Sequence, residues 1–242
     1  MSTPLYWQEF SKEWRKALDD ESIPIEPDKE HPIFHTSEFK TRQIPFRDYL
    51  GWSNDRREVF YKRLIDLVNK RTLFSTATGI DLDDYRRFAV DYPASQKLFG
   101  SAGHFASVMS FWRCRYWASK YSYDETISYI YDRDDTFADE LRDSYNNLCK
   151  DRDRAKWWHF KPGGLRDEDK QYFPPIQAAD LVAWEMGRDI RDYYDGFKLE
   201  AISRPEFVKL NVYGAEYYLY GYEDFLNWWH EREREIKDAK ES

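Results

Sequence analysis

The segment from Pro174 to Trp184 constrains the fold of this chain more than any other. Its two leading prolines, Pro174 and Pro175, end the preceding element and favour the start of a helix. The apolar residues that follow at helical spacing, and therefore predict one core-facing stripe, are Ile176, Ala179, Ala183, Met186 and Ile190. Asp180 lies beside this stripe. We therefore expect a partly buried carboxylate, which must be hydrogen-bonded, ion-paired or bound to a metal ion.

The overall composition limits the class of protein. The 242 residues show no linker, which predicts a single domain over residues 1–242. Cys114 and Cys149 lack metal-ligand spacing, so we expect free thiols in a reducing, cytoplasmic compartment. No apolar run approaches the roughly 20 residues of a membrane span, and no secretory signal opens the sequence. The net charge of −8 argues against a nucleic-acid coat protein, but not against an enzyme that grips nucleic acid through a local patch and metal ions.

Helical and strand-like segments alternate along the chain. Helices are predicted at residues 5–18, from Ser53 or Asn54 onward, at 101–120 and at 222–240. Strands are predicted at 73–80 and 126–131, the second buried on both faces. This alternation predicts an α/β domain with a layered mixed sheet and flanking helices. Gly163-Gly164 is predicted to lie in an irregular loop, and the charged end of the chain, about 222–242, to be a solvated helix.

Two acids occupy positions that suit chemistry. Asp132 follows the buried strand, and ligand sites in open α/β sheets form outside the carboxyl ends of strands. Together with Asp180 it offers the oxygen ligands that Mg²⁺ or Mn²⁺ prefers, and a pair of such ions can cleave phosphodiesters. Both acids also have a structural explanation. Asp132 suits a strand-end turn or a helix cap, and Asp180 suits a bond to a backbone amide or to an arginine such as Arg188.

Three segments of the chain resemble a known family. Ile176-Gln177-Ala178-Ala179-Asp180-Leu181-Val182-Ala183-Trp184 is similar to the C-terminal helix signature of the bacterial domain-of-unknown-function family 3800. Tyr129-Ile130-Tyr131-Asp132 resembles its strand that ends in aspartate, and His35-Thr36-Ser37-Glu38-Phe39 its histidine segment after the first helix. The order and spacing agree over nearly the whole chain.

The resemblance implies a ribonuclease-H-like fold that holds Mg²⁺ or Mn²⁺. Carried over residue by residue, it makes Asp180 the helix acid, Asp132 the strand acid and Glu38 a third candidate for catalysis and metal binding. It makes His35 a neighbour of the site rather than a ligand.

In one respect the chain differs from that family. The family opens with a strand reading roughly Asp-Glu-Ser-Gly, whose first acid supplies the central metal ligand, whereas this sequence enters its first helix by about Leu5. The expected ribonuclease-H-like fold therefore lacks its usual first strand, which would leave backbone unpaired. Three explanations stay open: a start at a downstream methionine, a degenerate member that cuts nothing, or a partner, such as a second copy, that supplies the strand.

Three functions follow as hypotheses. The first is a divalent-metal-dependent nuclease or phosphodiester hydrolase that uses Asp132, Asp180 and Glu38. The second is a catalytically degenerate interaction protein on the same fold, which binds a protein or nucleic-acid partner or a second copy of itself. The third is a nucleic-acid-binding module whose candidate phosphate contacts are Arg188, Arg191 and Lys161. For the two arginines, ion pairing on the helix surface is the alternative explanation.

Overall fold

A computed structural model of the chain describes residues 1–41, 51–121, 123, 126–150, 162–194 and 216–241. The described part is mixed α/β, as the alternation predicted. Its helices are α1 (Pro4–Asp20), α2 (Thr36–Thr41), α3 (Asn54–Arg71), α4 (Leu82–Asp91), α5 (Gln96–Phe99), α6 (Ala102–Lys120), α7 (Ala138–Lys150), α8 (Pro175–Tyr194) and α9 (Tyr222–Glu241). Its strands are β1 (Thr76–Ile80), β2 (Ile127–Asp132), β3 (Pro162–Glu168) and β4 (Glu216–Tyr220), and a 3₁₀ turn spans Pro93–Ser95.

The chain divides into two compact units built from interleaved segments. Unit 1 comprises Met1–Ala77, Thr126–Ala138 and Pro162–Glu216. Unit 2 comprises Thr78–Glu125, Asp139–Lys161 and Tyr217–Ser242. The single domain over residues 1–242 stays a prediction.

Helices α1 and α3 pack on each other in unit 1. Helix α1 starts where the Thr3 hydroxyl accepts the Tyr6 N–H and Pro4 pre-sets the first turn. The Ser53 side chain caps α3 by accepting the Arg56 N–H at 3.2 Å, which confirms Ser53 rather than Asn54 as the cap. Both helices bury residues at helical spacing: Phe10, Trp14, Ala17 and Leu18 on α1, and Phe60, Leu64 and Val68 on α3.

An aromatic cluster fixes the segment between α1 and α2. Phe34 packs edge-on against Trp14, with ring centroids 6.2 Å apart, and against Phe60 at 5.7 Å. Phe39 stacks on Tyr61 at 5.8 Å. Phe34 and Phe39 are each at most 2% exposed. Because these two rings are anchored in the core of unit 1, the polar residues between them are held in place as well.

Strands β2 and β3 form a parallel pair in unit 1. Their last residues, Asp132 and Glu168, are partners in the register, so both strands deliver carboxylates to the same edge. The register shifts between Ile127 and Ser128, opposite Gly163. The prediction of an irregular loop at Gly163-Gly164 is therefore wrong. A Cβ at Gly163 would lie 2.9 Å from the Ile127 carbonyl, and Gly164 has φ +146°, so the bulge in β3 uses both glycines.

Unit 2 has its own apolar core, made by α4, α6 and α9. The Asp81 side chain caps α4 by accepting the N–H groups of Asp83 and Asp84, each at 3.0 Å. Phe88, Phe105 and Phe225 are at most 2% exposed. Strand β1 pairs with β4, and the latter was not predicted from the sequence. Burial raises the pKa of Tyr85 to about 12, and its hydroxyl donates to the Gly100 carbonyl at 2.7 Å.

In the described residues the strands form two separate pairs, β1 with β4 and β2 with β3. The ribonuclease-H-like arrangement of a larger mixed sheet therefore stays a prediction. Among the helices of the described ranges, none is both long and apolar enough to cross a membrane.

We expect Gly163→Ala to lower the free energy of unfolding by about 1–3 kcal/mol, because the new methyl group meets backbone atoms that cannot move aside. Gly51→Ala is the matched control, since a Cβ there has no neighbour within 4 Å among the residues that the structure describes. Urea unfolding of both variants measures the difference. Equal effects of the two substitutions would contradict the close approach of β3 to β2.

Candidate functional site

Helix α8 carries the acid that the sequence singled out, but it presents a different face to the core than predicted. Ala179 and Ala183 are exposed, so the expected stripe is wrong at both positions. Met186 is buried, as predicted, and Ile176 is half-buried. The side chain of Ile190 lies outside the described residues. The residues that α8 buries are Gln177, Ala178, Leu181, Val182, Glu185 and Met186. The buried face of α8 differs from the predicted face because two polar residues, Gln177 and Glu185, have partners inside unit 1.

The Gln177 side chain makes three hydrogen bonds inside unit 1. Its Oε1 accepts the indole N–H of Trp14 and the backbone N–H of Phe34, both at 2.9 Å. Its Nε2 donates to the Lys170 carbonyl at 2.8 Å. The side chain is 1% exposed, so these bonds replace water entirely. One buried amide thereby ties α8 to α1, to the segment before α2 and to the turn after β3.

Asp180 lies one helical turn beyond Gln177 and binds the same segment. Its Oδ2 accepts the backbone N–H of Thr36 at 3.2 Å. The acid is exposed, so the expectation of a partly buried carboxylate is wrong, whereas the expected hydrogen bond to a backbone amide is present. Gln177 and Asp180 thus hold alternate N–H groups, those of Phe34 and Thr36, and His35 lies between them.

Asp132 lies at the carboxyl end of β2, as the sequence predicted. Its Oδ1 accepts the Asp134 N–H at 3.3 Å, which is the strand-end turn given as its structural explanation. Its Oδ2 lies 3.5 Å from the Lys170 Nζ. The two side chains are 20% and 23% exposed, so the ion pair is largely shielded from solvent.

The pKa of His35 is affected by burial and by several charged side chains. Burial is the largest cause that lowers the pKa of His35, and the positive charge of Lys170 lowers it further. The negative charges of Glu38, Asp180 and Asp132 act in the opposite direction. All three predicted acids are thus near enough to His35 to influence its protonation. Its Nε2 lies 3.3 Å from the Glu26 Oε1.

The structure therefore brings Asp132, Asp180 and Glu38 to one region of unit 1. Within the residues that the structure describes, however, no group of three or more His, Cys, Asp or Glu side chains is placed to hold a metal ion. A cation here would have to draw on one or two of these carboxylates. Mg²⁺ is commonly held in this way, with water and substrate phosphate completing its coordination.

Of the three candidate phosphate contacts, the structure describes the side chain of Arg188. The Nη1 of Arg188 lies 4.0 Å from the Oε1 of Glu185, which agrees with ion pairing on one helix. Glu185 is buried and also accepts the Tyr61 hydroxyl at 2.5 Å. Lys161 and the side chain of Arg191 lie outside the described residues.

Sequence reasoning missed Lys170, Glu26 and the buried role of Gln177. Lys170 ends the charged run Arg166-Asp167-Glu168-Asp169-Lys170, which looks like an ordinary solvated turn. Gln177 was part of the motif, but its partners are more than 140 positions away for Trp14 and Phe34, so no local spacing reveals them. The one local signal was a glutamine among apolar residues at the start of a helix.

We expect His35 to titrate below its ordinary pKa of 6.5. Between that value and the lowered pKa, the unfolded chain binds more protons than the folded protein, so stability falls as the pH drops through this window. Lys170→Met should raise the pKa of His35, whereas Asp180→Asn should lower it, because they remove charges of opposite sign. Nuclear magnetic resonance titration of the imidazole, assigned with His35→Gln, measures all three values. Asp66→Asn, at an exposed position of α3, is the control. Shifts of the same sign in both test variants would contradict the cluster.

Comparisons of the chain with family models, with curated proteins and with solved structures find no match. The resemblance to family 3800 stays a prediction, and the chemistry of the site rests on its own residues.

Proposed function

We propose that this protein is a divalent-metal-dependent phosphodiester hydrolase, a nuclease, whose site is the region around His35. The observation that carries the proposal is geometric. Asp180 accepts the Thr36 N–H at 3.2 Å, next to His35, and Asp132 is ion-paired with Lys170, whose backbone carbonyl is bound by Gln177 of the same helix as Asp180. Acids at the end of β2 and on α8 are thereby brought toward the segment that carries His35 and Glu38. Scattered surface acids have no reason to gather in this way, since like charges repel. The ribonuclease-H-like fold is part of the same proposal.

Carboxylate oxygens are the type of ligand that a hard cation prefers. Asp132 and Asp180 offer carboxylate oxygens, and each carboxylate has about four acceptor sites. The Thr36 N–H uses one site on Asp180, and the Asp134 N–H uses one on Asp132. These two acids, with Glu38 nearby, would hold Mg²⁺ or Mn²⁺. The bound ion would polarise a phosphodiester oxygen and favour ionisation of a water molecule.

His35 has the properties of a proton acceptor. Its lowered pKa keeps the ring neutral near pH 7. The Glu26 carboxylate beside Nε2 can only accept, so Nε2 carries the proton of the neutral ring and the basic lone pair lies on Nδ1. We assign His35 the role of receiving a proton from the attacking water.

A second candidate function is an interaction protein without catalysis. It is favoured by the existing partners of both acids: Asp132 pairs with Lys170, and Asp180 binds a backbone amide. In that case Mn²⁺ would leave the melting temperature unchanged, because an ion stabilises a protein only when it binds the folded form.

Cleavage assays test the proposal. Single-stranded, duplex and hybrid oligonucleotides are incubated with the protein and Mn²⁺, with and without a chelator. We expect metal-dependent cleavage that Asp132→Asn and Asp180→Asn each reduce more than about 100-fold, equivalent to roughly 2.7 kcal/mol of transition-state stabilisation. Asp66→Asn removes an exposed acid of α3 and should cleave at the wild-type rate. The absence of metal-dependent cleavage by the wild-type protein would refute the proposal.

A further inference from the structure

Glu185 is a buried carboxylate with two positively charged neighbours. Its side chain is 1% exposed, and its Oε1 accepts the hydroxyl of Tyr61 at 2.5 Å. The Nζ of Lys40 on α2 lies 3.7 Å from that oxygen, and the Nη1 of Arg188 on α8 lies 4.0 Å from it. Because both distances end on one atom, the ammonium and guanidinium groups are close neighbours. All four residues belong to unit 1.

The charges of these groups do not balance. One carboxylate neutralises one cation, so Glu185, Lys40 and Arg188 together carry a net positive charge. The side chains of Lys40 and Arg188 are 21% and 32% exposed, so solvent reaches both of them, whereas it hardly reaches Glu185. The Nη1 of Arg188 is farther from Oε1 than the roughly 3 Å of an N–H···O hydrogen bond. An anion that arrives from solvent therefore meets two cations before it meets the carboxylate.

The side of α8 that carries Arg188 also carries an aromatic ring. Asp180, Trp184 and Arg188 follow one another at intervals of four residues, so they lie in one row along the helix. Asp180 is exposed and Trp184 is half-buried. The Arg188 guanidinium lies 6.0 Å from the centroid of the Trp184 ring. At a rise of about 1.5 Å per residue, Arg188 lies about 12 Å along the helix axis from Asp180.

We propose that Lys40 and Arg188 bind a phosphate group of single-stranded nucleic acid, with a neighbouring base against Trp184. A phosphodiester carries the negative charge that the two cations attract. The planar guanidinium of Arg188 matches two phosphate oxygens, and the Lys40 ammonium adds a point charge. This inference deepens the proposed function, on which it rests for the role of the bound strand as substrate, but the binding itself requires no metal ion.

The indole ring favours a single strand over a duplex. A base can stack on an aromatic side chain only when its own face is accessible, and such stacking tolerates any sequence. In a duplex the neighbouring base pairs cover these faces. A strand with a phosphate at Arg188 and a base at Trp184 continues along the same row of α8 towards Asp180.

The test measures binding of a fluorescein-labelled single-stranded oligonucleotide by fluorescence anisotropy, with the full chain and a chelator present, so that no divalent cation takes part. We expect Arg188→Gln and Lys40→Gln each to raise the Kd about tenfold, because each removes a charged hydrogen bond to phosphate. Each substitution should also reduce the slope of log Kd against log salt concentration by about 0.7. Unlabelled single strand should compete better than unlabelled duplex of the same sequence.

Two ion-paired cations of unit 1 are matched controls. The Lys29 side chain is 22% exposed, and its Nζ lies 3.4 Å from the Oδ2 of Asp169. The Arg63 side chain is 38% exposed, and its Nη2 lies 2.7 Å from the Oδ2 of Asp20. Lys29→Gln and Arg63→Gln should therefore bind the strand as the wild type does. Circular dichroism checks that each variant is folded, and Arg188→Gln decides alone if Lys40→Gln does not fold.

The possible results separate the inference from the proposed function. Weaker binding by Arg188→Gln and Lys40→Gln, with both controls unchanged, supports the inference. Wild-type binding that neither substitution weakens, or that the controls weaken equally, overturns it. A duplex that competes as well as the single strand overturns it too, and so does a wild-type protein that binds no strand. The proposed function is judged by metal-dependent cleavage in a separate assay, so each can fail while the other stands.

Discussion

The buried amide of Gln177 is the interaction on which the candidate site depends. A primary amide can accept and donate at once, and this one accepts from Trp14 and Phe34 while it donates to Lys170. Three parts of unit 1 that are distant in sequence are thereby joined without water. No apolar side chain of the same size could do this, because it would leave two donors and one acceptor unsatisfied in the core. The aromatic rings around Phe34 supply the apolar burial. The hydrogen bonds of Gln177 fix the positions of the three segments relative to one another.

The Gln177 hydrogen bonds determine which charged side chains lie near one another. Since Asp180 follows Gln177 by one helical turn, it meets the Thr36 N–H two residues beyond Phe34. His35 is held between the two contacts, and Lys170 is brought to Asp132 by the same glutamine. The glutamine of the helix motif positions the neighbouring segments, and its aspartate belongs to the proposed site. This combination explains how exposed and half-buried acids can keep defined positions.

The sequence predicted the bounds of several elements better than the contacts between them. Asp132 at a strand end and the bounds of α1 and α6 followed from local patterns. The orientation of α8 did not follow from local patterns. Helical periodicity assigns apolar residues to the core, whereas here Ala179 is exposed and Gln177 is buried. Strand β3 was missed because a short strand of glycines and charged residues lacks the alternation that marks a half-buried strand. Lys170 was missed because its ion-pair partner, Asp132, lies 38 positions earlier, at the end of β2.

If Gln177 holds these segments together, its loss must destabilise the protein, and the free energy of unfolding of Gln177→Leu measures this. Gln8→Leu makes the same chemical change at an exposed position of α1 and is the control. We expect Gln177→Leu to lower the free energy of unfolding by at least about 3 kcal/mol, because two N–H groups and one carbonyl lose their partner. For Gln8→Leu we expect a change within about 0.5 kcal/mol. A Gln177→Leu protein as stable as the control would contradict this role of Gln177.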